Sequence, residues 1–423
     1  MKFEKGYSAK IDERFSIHIA SDNEAELNEI VKLNVEIHRE EVLESFIRLI
    51  LTKYPFRDRI LFLYIKDNEK NRMVSSICLA PLDWVINGIK MPICEIEFVG
   101  TLEEYRGRGF IKILNELYEK IMHQKGYILS VIRGIPFYYR SLGYEFVSSL
   151  DERITIPVSQ IPKKENKHIK IRKATEDDLA LIESNYNQFH EKFFIYNSFN
   201  PECFKFKYMN DQFNSEIRSS FIFEDNGAAT NYFSIGMSYD NENYEINSPN
   251  LSEIESIALL QFIRNLGNYE ETDSITLSVS EVSPLYSNIL SLGGKPFYNY
   301  GWQVKIPDLI DFFNLTKSVF ERRLKQSNFT GLTKILRISD YQSTFELEFE
   351  VGILKNIDVK QEYPNPQITD LRVPGTFLFK LVLGDRTIDE LNYIIMDAIV
   401  NPSSKALIET MFPKRISLFS SNI

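Results

Sequence analysis

One run of residues, 99–110, most constrains what this chain can fold into. It reads Val-Gly-Thr-Leu-Glu-Glu-Tyr-Arg-Gly-Arg-Gly-Phe, so a strand-like segment breaks into a glycine-rich turn that opens an amphipathic helix. The unpaired N–H groups and the dipole of such a helix start favour an anion. Gly107 and Gly109 would let a diphosphate approach the backbone without a Cβ in the way. With Arg106 and Arg108 beside it, the turn predicts a binding site for a phosphate-bearing ligand.

The same turn resembles the cofactor-binding motif of the GNAT family of N-acetyltransferases, which is written Arg/Gln-x-x-Gly-x-Gly/Ala. Here the motif is Arg106–Ile111, and Ile111 departs from the small residue at its last position. A strand before it (Ile93–Thr101), a helix, a second strand (Tyr127–Ile132), a short helix and a return strand (Tyr144–Val147) follow the order of elements in that family. The resemblance therefore covers nearly the whole first unit of the chain.

Local signals delimit other elements of this unit. Ser21 and Asp22 precede apolar residues at helical spacing and are predicted to cap a helix. The pair Asn87–Gly88, flanked by apolar residues, predicts a hairpin. Gly126 is predicted to end the helix that follows the glycine turn.

The composition is that of an ordinary soluble globular protein, with 43% hydrophobic and 26% charged residues among 423. This length predicts two or three domains. A net charge of −10 argues against a general binder of nucleic acids or anionic membranes. We expect neither a secretory signal nor a membrane span. The 3 cysteines and 5 histidines have no metal-ligand spacing, so we expect a metal-free cytoplasmic protein.

An internal repeat indicates a second unit of the same kind. Leu277–Val279 and Ser291–Gly293 repeat the sequences of Leu129–Val131 and Ser141–Gly143. Where the repeat should place the glycine turn, the segment Ser248–Ile254 has neither glycine nor arginine. We therefore expect the second unit to bind no cofactor.

The last unit, from residue 306, has a different pattern. Phe345–Val351 alternates apolar and acidic residues, which predicts a strand with one solvent-exposed face. The run Leu381–Leu391 reads Leu-x-Leu-Gly-x-Arg-Thr-x-x-Glu-Leu, and Phe412–Pro413 follows later. Both resemble the C-terminal, sterol-carrier-like domain of the enhanced-intracellular-survival branch of the family, whose members carry two tandem GNAT folds before it.

The resemblance implies an α/β (α+β) fold class. It predicts tandem GNAT folds with mixed central sheets, followed by a sterol-carrier-protein-2-like α+β domain. The expected units are a catalytic GNAT domain at 1–162, a degenerate one at 163–305 and the C-terminal domain at 306–423. A polar linker, Pro162–Lys167, lies at the first boundary. The branch also implies a homo-oligomer.

The resemblance further implies acetyl-CoA as the co-substrate, with no metal. Its diphosphate would bind the N–H groups of the glycine turn, and its pantetheine arm would enter between the strands Ile93–Thr101 and Tyr127–Ile132. The expected cofactor-binding residues are Phe98, Val99, Thr101, Arg106, Gly107, Arg108, Gly109, Phe110 and Ile111.

Tyr139 is the expected general acid. The spacing Tyr-x-x-x-Gly-Tyr, which ends at Tyr144, matches the tyrosine that protonates the leaving thiolate in the family. The neighbouring Tyr138 would point elsewhere on a helix. The alternative is a purely structural role, in which Tyr139 packs between helix and sheet and its hydroxyl is bonded locally.

Several groups are candidates for the general base. Glu95 and Glu97 are two apart on one strand and so face the same side, and Glu95 coincides with the base glutamate of histone-acetylating members. Either carboxylate could instead pair with a lysine or arginine. In the tandem branch the C-terminal carboxylate reaches the active site, and here it belongs to Ile423, where the branch usually has an aromatic residue. Water is the remaining alternative.

These features predict an N-acetyltransferase that moves an acetyl group from acetyl-CoA to a primary amine of a small cationic molecule or a lysine side chain, by direct transfer in a ternary complex. An alternative is a lipid-binding protein with a CoA-sensing first unit. A cavity lined by Phe377, Phe379, Leu381 and Leu383 would favour that alternative, whereas a packed interior would leave the last unit as a lid and oligomer contact. A third hypothesis is a relic that binds CoA without turnover.

Overall fold

The computed structural model describes residues 2–40, 42–150, 152–209, 218–237, 243–297, 301–361 and 365–421. The strands of this part of the chain are β1 (Ser8–Lys10), β2 (Phe15–Ile19), β3 (Leu61–Asp67), β4 (Arg72–Ile86), β5 (Ile89–Thr101), β6 (Leu129–Ile132), β7 (Glu145–Ser149), β8 (Glu152–Pro157), β9 (Ile169–Lys173), β10 (Ile195–Asn197), β11 (Ser219–Asp225), β12 (Ala228–Met237), β13 (Tyr244–Asn247), β14 (Ser274–Val279), β15 (Lys295–Pro296), β16 (Gly301–Lys305), β17 (Lys334–Ser339), β18 (Thr344–Glu350), β19 (Ile353–Lys360), β20 (Leu371–Arg372) and β21 (Ile399–Val400). The helices are α1 (Glu24–His38), α2 (Val42–Lys53), α3 (Phe110–Lys125), α4 (Leu179–His190), α5 (Pro201–Tyr208), α6 (Glu253–Leu266), α7 (Pro284–Ser291), α8 (Leu309–Lys325), α9 (Phe377–Val382), α10 (Ile388–Ile394) and α11 (Lys405–Met411).

The first sheet carries the glycine turn. Its described strands have the order β1-β2-β3-β4-β5-β6-β16-β7, and β10 pairs with the end of β4. Neighbouring strands are antiparallel except β5 and β6, which are parallel. Apolar side chains of α1, α2 and α3 form one core with one face of the sheet, and the other face shares a core with the last unit of the chain.

Most of the turn and helix-end predictions for the first unit are confirmed. Asn87 and Gly88 have φ of 47° and 87° and join β4 to β5, which confirms the hairpin. Gly126 ends α3 in the left-handed conformation, and its N–H donates to the carbonyl of His123. The predicted cap of α1 is wrong by one residue, because the side chain of Asn23 accepts the N–H groups at the start of that helix.

The second sheet has the order β15-β8-β14-β13-β12-β11-β9 in the described residues. Its parallel pair, β13 and β14, corresponds to β5 and β6 of the first sheet. The helix after β13 begins differently from α3, because Ser252 and Glu255 cap it reciprocally, each side chain accepting the backbone N–H of the other residue. The side-chain cap thus occupies the N–H groups of Ser252 and Glu255 at this helix start.

The first two sheets exchange strands. β8 follows β7 in the chain but lies between β14 and β15 of the second sheet. In return, β16 comes after the second sheet in sequence and lies between β6 and β7 of the first. This exchange lies near the boundaries predicted at residues 162 and 305, which stay predictions.

The third sheet has the described order β19-β18-β17-β20-β21 and packs with α8 to α11. The strand predicted at Phe345–Val351 is confirmed as β18. Residues 377–382 form α9, where Leu378, Phe379 and Leu381 are buried in the core shared with the first sheet. Leu383 is buried beside them. Among the described residues, no helix combines the length and apolarity that crossing a bilayer requires.

The C-terminal tail returns from the third sheet to the first. The N–H of Leu418 donates to the carbonyl of Ile195, 2.8 Å away, so the tail runs along β10. Phe419 then packs its ring against both Trp84 and Trp302, with centroid distances of 4.4 and 6.2 Å. The tail is therefore anchored beside the strands that carry the predicted site.

We expect Phe419→Ala to lower the free energy of unfolding by about 3 kcal/mol, because it removes a ring that is only 5% exposed and leaves a cavity beside Trp84 and Trp302. Urea unfolding followed by tryptophan fluorescence measures this change. Ile416→Ala is the matched control in the same tail, since Ile416 is 63% exposed and should change the free energy by less than about 0.5 kcal/mol. Equal effects of the two variants would contradict the anchoring role of Phe419.

Candidate active site

The predicted phosphate site lies where β5 gives way to α3. A 3-10 turn, Glu103–Tyr105, connects the strand to the glycines. Gly107 and Gly109 have φ of +78° and +77°, a conformation that costs other L-residues about 1–2 kcal/mol. Among the described residues, no heavy atom lies within 4 Å of the position a Cβ would take at either glycine. The turn is thus an open cradle before the first N–H groups of α3, and it fits a diphosphate.

The two arginines of the turn lie at the surface beside this cradle. Arg106 Nε donates to the carbonyl oxygen of Thr101 over 3.4 Å. The guanidinium of Arg108 lies 5.8 Å from the ring centres of both Phe15 and Tyr105. Both side chains stay exposed, so their charges add to the positive potential of the helix start.

The side chains of the other predicted residues at and near the turn pack in the core or bond neighbouring strands. The ring of Phe110 is buried 4.9 Å from that of Phe15, and Ile111 is partly buried against the same core. Thr101 bonds the hydroxyl of Ser75 at 2.8 Å. A ligand at the turn would therefore meet the backbone of these residues.

A β-bulge interrupts β5 just before the turn. The register between β4 and β5 shifts so that Phe98 and Val99 stand opposite Ile77 alone. Phe98 has a φ of +49°, which is strained for a bulky residue, and its ring stacks 5.9 Å from that of Phe62. The bulge bends β5 at the point where the pantetheine arm is expected.

The parallel pairing of β5 and β6 is short. It covers only Ile93–Glu95 against Leu129–Val131, although β5 continues to Thr101. The pairing therefore stops at Glu95, and β6 itself ends at Ile132. This leaves backbone groups of β5 facing a gap, as the resemblance implies for a strand that receives an extended ligand.

Glu95, Glu97 and Arg133 form an ion-pair cluster across that gap. Arg133 follows β6, and its Nε donates to Glu95 Oε1 at 3.0 Å while its Nη2 donates to Glu97 Oε1 at 2.7 Å. The two glutamates face the same side, as predicted, since one guanidinium reaches both. Ser421 of the tail donates its hydroxyl to Glu95 Oε2 at 2.5 Å. Glu95 thus forms an ion pair with an arginine, which is the alternative to a catalytic role considered in the sequence analysis.

The Glu95 carboxyl is fully buried. Burial raises its pKa to about 8, because the charged form loses its hydration, while the Arg133 guanidinium acts in the opposite direction. A carboxyl with a pKa in this range can both accept and release a proton near neutral pH.

Tyr139 lies on a 3-10 helix, Tyr138–Leu142, that follows β6. Its side chain is buried, with its ring edge-on to that of Tyr144 at 6.0 Å, whereas Tyr138 is exposed. Gly134 lies directly against the Tyr139 ring, and a Cβ there would come within 2.1 Å of its Cε2 atom. The tyrosine ring therefore packs directly on the backbone of Gly134, where any side chain would collide with it.

A cavity of about 680 Å³ adjoins the ion-pair cluster. Arg133 and Trp302 line it from the first sheet, Phe204 and Lys207 from the second unit, and Ser421 from the tail. Its size is that of a typical small-molecule site. The first unit alone therefore supplies only part of its wall.

The C-terminal carboxylate of Ile423 lies outside the described residues. The tail is described as far as Ser421, which contacts Glu95 as stated above. In the same described part of the chain, no three histidine, cysteine, aspartate or glutamate side chains come together as a group that could hold a metal ion.

Comparison with known proteins assigns the fold of this site. The family model described as an acetyltransferase (GNAT) domain matches residues 35–147, which include the parted strands, the glycine turn and Tyr139. These residues therefore form a GNAT acetyltransferase domain. The comparison with curated proteins found no significant match.

Solved structures extend the similarity to the whole chain. A probable N-acyltransferase from Enterococcus faecalis superposes with a TM-score of 0.70 at 14% identity, covering 96% of this chain and 99% of that one. A GCN5-related N-acetyltransferase from Anabaena variabilis gives 0.64 at 14%, covering 94% and 97%. Eis1 from Mycobacterium abscessus gives 0.61 at 14%, covering 96% and 98%. These similarities show a shared fold; the sterol-carrier-like nature of the last unit stays a prediction.

Sequence reasoning missed four residues that build the site. Arg133 follows an apolar strand and looks like a solvent-exposed end, and Gly134 carries no turn signal of its own. Trp302 and Lys207 lie in segments far from the motif, so no local pattern connects them to it. The one available signal was that Trp302 is one of only 2 tryptophans in the chain.

We expect Gly109→Glu to abolish measurable CoA binding in calorimetry, because a carboxylate would fill the open cradle and repel the diphosphate. Gly126→Glu is the matched control. It lies at the other end of α3, with a φ of +72° and the same open space, so it imposes the same backbone strain far from the turn. Undiminished CoA affinity in Gly109→Glu, or an equal loss in both variants, would refute the assigned phosphate site.

Proposed function

We propose that this protein is an acyl-CoA-dependent N-acyltransferase, and that it moves an acetyl group to a primary amine of a small cationic molecule or a lysine side chain in a ternary complex. The observation that carries the proposal is the open glycine cradle at the start of α3, within a GNAT domain. The choice of acetyl and of the acceptor rests on the family resemblance, as do the expected cytoplasmic location and homo-oligomer.

The residues expected to hold acyl-CoA are those of the cradle and of the bulged strand. The N–H groups of Gly107–Ile111 would bind the diphosphate, with Arg106 and Arg108 beside them. Backbone groups of Phe98, Val99 and Thr101 would pair with the pantetheine amides in the gap next to β6. Bound there, acyl-CoA supplies a thioester whose carbonyl carbon is open to attack by an amine.

Tyr139 is the proposed general acid. Its packing against Gly134 and Tyr144 fixes the ring, so the hydroxyl can be held in one position for donation to the leaving thiolate. Holding both reactants in place would supply most of the rate, and proton transfer would add to it.

Glu95 is the proposed general base. Its raised pKa and its position on the parted strand support this role, and Arg133 would stabilise the carboxylate whenever it is ionised. Glu97 shares the same guanidinium and is the second candidate. The terminal carboxylate of Ile423 and a water molecule are the remaining ones.

The packing of the last unit does not favour the lipid-binding alternative. Phe379, Leu381 and Leu383 are buried, and Phe377 packs against the same core. Leu383 also lines a cavity of about 670 Å³ shared with β7 and the tail, but the other three residues are not part of its lining.

We expect Tyr139→Phe to lower kcat by about 100-fold, because the thiolate would leave without its acid. The KM for acyl-CoA should change little, since the ring and its packing are kept. Steady-state kinetics with thiol detection separate the two constants. Tyr138→Phe serves as the control from the same 3-10 helix, and equal rates for Tyr139→Phe and the parent would remove Tyr139 from the mechanism.

We expect kcat/KM of the parent to rise with pH up to about 8 and then level, because the base must be ionised and burial raises the pKa of Glu95 to about 8. The acceptor for this measurement is an amine that stays unprotonated throughout the pH range. In Glu95→Gln the rise should disappear together with most of the rate, while Glu97→Gln should keep it. A pH profile that survives in Glu95→Gln and is lost in Glu97→Gln would assign the base to Glu97.

A further inference from the structure

Lys207 places an amine of the chain itself in the wall of the cavity that adjoins the Glu95–Arg133 ion pair. It lies near the end of α5, a helix anchored by the buried side chains of Cys203, Phe204 and Phe206. Its Nζ donates to the carbonyl oxygen of Ser421 at 3.2 Å.

Only one residue separates this amine from the proposed base. Ser421 accepts the bond from Lys207 through its backbone carbonyl and donates its own hydroxyl to Glu95. Arg133, which holds the other oxygen of Glu95, lines the same cavity as Lys207. The amine and the carboxylate thus contact the same residue of the tail, one through its carbonyl and the other through its hydroxyl.

The surroundings of Lys207 favour a neutral amine. Burial lowers its pKa to about 8, and the nearby cations Arg218 and Arg133 act in the same direction. The carboxylates of Glu245 and Glu95 oppose this effect without cancelling it. An appreciable fraction of Lys207 therefore carries the free electron pair that attack on a thioester requires.

A second lysine of the same helix shows that this environment is specific. Lys205 forms an ion pair with Glu202 at 2.6 Å, and that carboxylate raises the pKa of Lys205. It is absent from the described lining of the cavity. Two lysines two residues apart thus differ both in the direction of their pKa shifts and in their position relative to the cavity.

We propose that Lys207 is itself an acyl acceptor of this active site and is acetylated in cis by acetyl-CoA. The inference rests on the proposed function. Nζ of Lys207 forms a bond to the thioester carbonyl carbon as the C–S bond breaks. The amine loses one proton to Glu95, and the thiolate takes one from Tyr139, so that the products are an N-acetyllysine and the free thiol of CoA.

The test is to incubate the full chain with acetyl-CoA in the absence of any added amine and to follow its intact mass. We expect a gain of one acetyl group, which peptide mapping assigns to Lys207, with a rate constant independent of protein concentration because the transfer is intramolecular. Lys207→Arg should lose this product and Lys205→Arg should keep it. Gly109→Glu should slow it by at least about tenfold, since the donor no longer binds at the turn.

A measurement on the protein without CoA adds an independent readout. Competitive labelling with acetic anhydride over a pH series reports the titration of each lysine. Lys207 should gain reactivity at a lower pH than Lys205, as their opposite pKa shifts require. Circular dichroism of each variant confirms that the fold is kept.

The outcomes separate this inference from the proposed function. Acetylation only at Lys205 or other lysines, or at an unchanged rate at Lys207 in Gly109→Glu, would overturn the inference even when added amines are still acetylated. Absence of transfer to Lys207 and to every amine of a broad panel, despite CoA binding, would overturn the proposed function as well.

Discussion

The separation of β5 from β6 beyond Glu95 is the constraint on which the rest of the site depends. A parallel pair inside a sheet normally satisfies the backbone groups of both strands, and leaving them unmet costs about 1–3 kcal/mol each. Here the register between β4 and β5 shifts at Phe98, the pairing of β5 with β6 stops at Glu95, and the Arg133 side chain bonds both Glu95 and Glu97. An extended ligand with its own amides would complete the pairing, and the glycine cradle lies at the end of the same strand.

The site is completed by segments that are distant in sequence. Trp302 reaches it through β16, which follows the strands of the second sheet in sequence but pairs with β6 and β7 of the first. Ser421 reaches it through the returning tail. Phe419 packs against Trp302 and Trp84, so the tail and the exchanged strand stabilise each other. The first unit, although it carries the motif, therefore needs the rest of the chain to enclose its cavity.

The sequence predicted those features that local chemistry determines. The Asn87–Gly88 hairpin, the glycine end of α3 and the cradle itself follow from conformations that only a few residue types adopt, so short patterns suffice to find them. The strand exchange of β8 and β16 depends on pairing between distant segments with similar apolar patterns, and nothing in either segment indicates which sheet it joins. Arg133 was missed for a related reason, because its partners lie on another strand and a charged residue after a strand ordinarily faces water.

The contacts around Glu95 connect proton affinity to the architecture of the whole chain. Burial of the Glu95 carboxyl favours its protonated form, and the Arg133 guanidinium opposes this effect without cancelling it. Ser421 adds a hydrogen bond to the ionised form, yet its position depends on the packing of the tail residue Phe419 against Trp84 and on the bond from Lys207 of the second unit. A shift of the tail would therefore change the hydration and hydrogen bonding of the proposed base and move the amine of Lys207 in the same event. The ease with which Glu95 exchanges its proton is thus set by the docking of three parts of the chain, and not by the glutamate and its strand alone.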